Sequence, residues 1–66
     1  MDKRGLQSLL DRSRSNLRQM CDDLKLAQST ASRWSRQVPR YASFYAAAMS
    51  VMSEEQRNEV RKLADG

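Results

Sequence analysis

Apolar positions along this chain recur three and four residues apart, the spacing that puts them on one face of a helix. Leu6, Leu9 and Leu10 form the first such stripe and predict a helix over residues 6–14. Leu17, Met20, Cys21 and Leu24 form the second, over residues 17–24. Ser15 or Asn16 stands where a side-chain oxygen can accept from an unsatisfied first-turn N–H. Ala31 and Trp34, three apart, set the inner face of a third helix over residues 28–36. Pro39 then interrupts, since it lacks an N–H and disfavours helix at Val38, but it suits the first turn of a new helix. The fourth helix is predicted from Pro39 or Arg40 to Val51, with Tyr41, Phe44, Tyr45, Ala48, Met49 and, just beyond its end, Met52. Ser53 with Gln56 has the spacing of a capping box and opens a fifth helix to about Ala64, with Val60, Leu63 and Ala64 apolar. Strand-type alternation is missing, and glycine occurs only at positions 5 and 66. The expected fold is all-α: one domain over residues 1–66, a compact bundle of about five short helices containing a helix-turn-helix.

Size constrains how such a bundle is held together. A 66-residue chain buries too little surface for a comfortable margin of stability. The single cysteine, Cys21, forbids an intrachain disulfide, and the lack of histidine removes the commonest metal ligand and general base. Helix packing and self-association remain as sources of stability. No metal, cofactor or catalytic constellation is expected, and the chain does not read as an enzyme. No run approaches the roughly 20 apolar residues needed to span a bilayer. The polar start of the chain and the unpaired thiol fit a reducing cytoplasm.

Charge adds a direction to this picture. Residues 1–41 carry nine Lys/Arg against four Asp/Glu, whereas residues 42–66 carry three against four. Arginine dominates the basic part, and its planar fork suits phosphate and guanine better than lysine does. A polyanionic partner for the N-terminal part is the expectation.

The window from Leu17 to Arg36 meets the demands of a helix-turn-helix. Cys21 is the small residue where two helices cross. The turn falls at Leu24-Lys25-Leu26, with both leucines directed inward and Lys25 where glycine is usual. Ala31 and Trp34 are the paired inward residues of the second helix. Its outward positions, Gln28, Ser29, Ser32, Arg33 and Arg36, are all polar. Gln28 can pair with an adenine edge and Arg33 with guanine, and Ser29 and Ser32 are weaker candidates for base contact. Asn16, Arg18, Arg36 and Arg40 are candidates for phosphate contact. Phe44, Tyr45, Met49, Met52, Val60 and Leu63 are expected to supply a homodimer or higher-oligomer surface.

The same window resembles the helix-turn-helix of lambdoid phage regulators. Ala27-Gln28-Ser29 is similar to the opening of the recognition helix in Cro and the phage repressors. Residues 29–41, STASRWSRQVPRY, are similar to the corresponding stretch of CII-type activators. The resemblance implies a sequence-specific, double-stranded DNA-binding transcription regulator of phage or prophage origin, working on repeated half-sites. Repression is favoured, because steric exclusion needs only DNA binding, whereas activation needs a further surface for RNA polymerase. The alternative is a small helical protein-interaction module, such as a phage-encoded inhibitor or adaptor of a host protein.

Overall fold

A computed structural model describes residues 1–66 and contains five α-helices and no strand. They are α1 (Lys3–Arg12), α2 (Leu17–Leu24), α3 (Gln28–Ser32), α4 (Arg40–Val51) and α5 (Glu54–Asp65). No helix is long and apolar enough to cross a membrane.

Local chemistry fixes most helix starts. Asp2 Oδ1 accepts from the Gly5 N–H at 2.8 Å, so α1 begins at Lys3, a turn before the leucine stripe that marked it in sequence. Asn16 Oδ1 accepts from the Gln19 N–H at 2.8 Å and caps α2. Pro39 precedes α4 with φ −58° and leaves no N–H unsatisfied there. The Ser53–Gln56 capping box is formed in both directions, at 3.1 and 2.8 Å.

The ends of α1 and α2 share one device. Arg14 and Lys25 adopt left-handed conformations, with φ of 56° and 58°. Leu26 N–H reaches back to Cys21 O at 2.8 Å and Lys25 N–H to Asp22 O at 3.3 Å. Ser15 N–H reaches Leu10 O at 2.8 Å and Arg14 N–H reaches Asp11 O at 3.0 Å. Both patterns are Schellman closures, which satisfy the last carbonyls of a helix and turn the chain sharply. The first helix therefore ends at Arg12, before the expected Arg14.

The third helix is shorter than its sequence pattern suggests. Its regular part stops at Ser32, and Arg33 N–H and Trp34 N–H close onto Thr30 O and Ala31 O at 3.3 and 3.1 Å, a tightened i→i−3 turn. Ser29, Thr30 and Ser32 are weak helix formers, and the Ser32 hydroxyl bonds back to Ser29 O at 2.9 Å. Trp34 still packs against the core, but from the segment after the helix. It meets Tyr41 edge to face, with ring centroids 6.2 Å apart.

The core joins Leu6 and Leu10 of α1, Met20 and Cys21 of α2, Ala31 of α3, Val38, and Ala42 and Ala46 of α4. The packing is closest between α1 and α4, where two alanines let the leucines approach. Leu9, Leu17, Leu24, Leu26, Trp34 and Tyr45 pack around this centre. Met49 is also buried inside the monomer, so it cannot belong to the oligomer surface expected of it. Cys21 is 1 % exposed, and burial together with the charge of Asp22 raises its thiol pKa.

Candidate nucleic-acid interface

The pieces of this surface come from three helices. α2 and α3 are joined through the left-handed turn at Lys25, and Leu24 and Leu26 on either side pack inward, as their apolar character requires. The backbone of α1 is tied to the segment after α3. Met1 O accepts from Val38 N–H at 3.1 Å, and Lys3 N–H points to Ser35 O at 3.5 Å. These ties bring the start of α1 beside α2 and α3.

A surface depression of about 210 Å³ results, lined by Lys3, Leu17, Arg18, Cys21, Gln28, Ala31 and Ser32. Its floor is apolar, and its rim carries two cations, one amide and one hydroxyl. No carboxylate lines it. Gln28, the first residue of α3, is exposed, as are Arg18, Ser29 and Ser32. Part of the Ser32 hydroxyl's capacity is spent on Ser29 O, which leaves its lone pairs available to a donor. Lys3 was not among the residues the sequence pointed to. Its place depends on how α1 docks, and the only signal in sequence was the Lys3-Arg4 pair in a basic segment.

The remaining candidates lie around this centre. Asn16 is committed through Oδ1 to capping α2, and it shares a second depression with Arg18, Gln7, Leu10, Asp11 and Leu17. Arg33 terminates α3 with helical dihedrals, φ −80° and ψ −17°, and keeps the expected register, whereas Arg36 lies in the bend beyond the helix and does not. Both are exposed. Arg40 is the first residue of α4, exposed and outside the depression.

A polar cluster lies elsewhere, between α2, α4 and α5. Asp23 accepts from the Tyr45 hydroxyl, from Arg61 Nε at 2.9 Å and from Gln19 Nε2 at 3.0 Å. Burial opposes ionisation of Asp23, but the three hydrogen bonds outweigh it and hold its pKa below the ordinary carboxylate value. Burial and the adjacent Asp23 push Tyr45 up to about 12. Tyr45 is therefore a half-buried anchor inside the monomer, which removes it from the expected oligomer surface. Met52 is half-buried, whereas Phe44, Val60 and Leu63 are exposed, and Val51, missed in sequence, is 83 % exposed. No group of three or more His, Cys, Asp or Glu side chains is placed to hold a metal ion.

Compared with known proteins, the chain matches no family model, no curated protein and no solved structure.

Proposed function

We propose that this chain is a sequence-specific, double-stranded DNA-binding regulator of transcription, of phage or prophage type, in which α2 and α3 act as a helix-turn-helix. The observation that carries this reading is the carboxylate-free depression that gathers Lys3, Arg18, Gln28 and Ser32. Cations at its rim suit phosphates, and an amide at the start of α3 suits a base edge in the major groove. The inward Leu24, Leu26 and Ala31 and the left-handed turn between the helices support the same assignment. So does the resemblance of residues 17–36 to lambdoid phage regulators. In this reading Gln28, Ser29, Ser32 and Arg33 face bases, while Lys3, Asn16, Arg18 and Arg36 face phosphates. Occupying a promoter in this way represses by excluding polymerase.

Selection of bound duplexes from a random pool tests the proposal, and enrichment of one sequence is the expected outcome. Gln28→Ala should then lose about 1–3 kcal/mol on the selected duplex and much less on random DNA. Arg18→Ala and Lys3→Ala should weaken all duplexes alike and reduce the salt slope by about one. A pool without enrichment overturns the proposal.

A further inference from the structure

A second polar depression, of about 290 Å³, opens between the turn that ends α1 and the first two turns of α5. Arg14, Arg57 and Arg61 line it with Glu54 and four uncharged polar residues, and no apolar residue does. It shares no residue with the depression beside α3. Here α2 contributes Gln19, and there Leu17, Arg18 and Cys21. Gln19 lies about 150° round the helix from the centre of those three, so the two surfaces are on opposite sides of α2.

Most donors at this site have no partner within the chain. Arg57 directs Nη1 to the carbonyls of Met49 and Met52, while Arg61 directs Nε to Asp23 and Nη1 to Asn58 Oδ1. These bonds fix both guanidiniums and leave Nη2 of each free, along with the Asn58 amide donors. Arg14 makes no side-chain hydrogen bond or ion pair, the only ion pair of the protein being Arg61 with Asp23. Ser15 also lines the depression, and its Oγ is shut off from solvent without a hydrogen-bond partner. An orphan hydroxyl of this kind is costly unless a group from outside the chain completes it. Two carboxylates bear on the three arginines. Asp23 holds Arg61 from outside the lining, and Glu54 lines the depression but pairs with none of them. The remaining positive charge and the free donors suit an anion with several oxygens.

Arginine forks match the oxygens of phosphate. The wholly polar wall gives a nucleobase or an acyl chain no surface to cover, whereas Ser13, Gln19 and Asn58 provide partners for hydroxyl groups. The volume is just below that of sites for drug-sized molecules, so the body attached to the phosphate is small. We infer that this depression binds a small hydroxylated phosphate ester, its phosphate held by Arg14, Arg57 and Arg61 and completed at Ser15. The inference goes beyond the DNA reading and does not rest on it. An occupant bridges the α1–α2 turn to α5, a helix with no buried residue of its own, and so fastens that helix.

Titration of the isotope-labelled chain at constant ionic strength, followed by its amide resonances, tests this. Inorganic phosphate, glycerol phosphate and a random-sequence duplex are the separate probes. Both small probes should give saturable shifts confined to residues 13–15 and 54–61. Glycerol phosphate should bind about tenfold tighter, the worth of one or two added hydrogen bonds. Arg57 and Arg61 also hold α5 in place, so the informative variants lie elsewhere. Arg14→Gln should weaken binding about tenfold, and Glu54→Gln should tighten it about threefold. Ser15→Ala should weaken binding yet leave the free protein at least as stable in thermal unfolding, which a merely structural hydroxyl would not do. Far-ultraviolet circular dichroism establishes that each variant is folded. Unsaturable shifts at basic residues throughout the chain, the mark of an adventitious ion only, overturn the inference. Equal affinity for the two small probes overturns the ester. The duplex should leave residues 13–15 and 54–61 unmoved, and movement there assigns the surface to DNA and overturns the inference as well. None of these failures touches the α3 surface, which duplex selection tests by itself.

Discussion

Replacing Lys25 with glycine should make the protein more stable. Lys25 holds φ 58° and ψ 41°, where a Cβ crowds the following carbonyl. That conformation costs a non-glycine residue about 1–2 kcal/mol. Glycine removes the crowding but loses more freedom on folding, a cost of about 0.4–1 kcal/mol. The difference leaves a net gain of about 0.5–1 kcal/mol for Lys25→Gly. In a chain of this size 1 kcal/mol moves the thermal midpoint by roughly 4–8 °C, so a rise of about 3–6 °C is expected. Thermal unfolding followed by far-ultraviolet circular dichroism measures it. Lys25→Ala is the control: it removes the ammonium but keeps the Cβ, and should change the midpoint little. A lower midpoint for Lys25→Gly, or an equal rise for Lys25→Ala, would refute the reasoning from backbone conformation.

Three other expectations concern buried and half-buried groups. Tyr45→Phe deletes a hydrogen bond to the Asp23 carboxylate and should cost about 1–3 kcal/mol in denaturant unfolding. Because the folded pKa of Asp23 is depressed, its stabilisation is present above the ordinary carboxylate pKa and is lost as pH falls through the folded value. The raised pKa of Tyr45 gives the opposite limb, a contribution intact below about 10 and lost as pH rises through about 12. A stability profile flat through the acid range would contradict the Asp23 assignment. Cys21, buried and with a raised pKa, should resist a thiol-specific chromogenic reagent in the folded protein and react promptly in denaturant. Prompt reaction without denaturant would place the thiol outside the core.

Where the chain's structure was legible in sequence, the cause was local. The starts of α2 and α5 follow from Asn16 and from the Ser53–Gln56 box, each acting within one turn. The start of α1 was hidden because Asp2 caps a polar first turn that carries no apolar stripe. The end of α3 was misread because Ala31 and Trp34 have helical spacing, yet Trp34 reaches the core after the helix has stopped. Met49 and Tyr45 could not be sorted from Phe44 in sequence, since apolar residues run most of the way round α4 and after Arg40 only Ser43 and Ser50 mark a polar side. Docking of α1 buries Ala42 and Ala46, and the Asp23 carboxylate of α2 claims Tyr45. Lys3 at the candidate interface and Arg61 against Asp23 depend on contacts far apart in the chain, for which spacing gives no sign.

The last helix has no buried residue. It is fastened by Arg61 to Asp23, and by Arg57 Nη1 to the carbonyls of Met49 and Met52 at 3.3 and 2.6 Å. These polar contacts hold the helix at a few points, but they do not bury the apolar surface that locks α1 on α4. Residues 54–65 should therefore open before the rest of the fold, a difference that native-state hydrogen exchange measures. Their amide hydrogens exchange from this partly opened species, while those of α1 and α4 wait for the whole molecule to unfold. A protease meets the chain first beyond Ser53, and cleavage there leaves the core residues Leu6 to Ala46 on a single fragment.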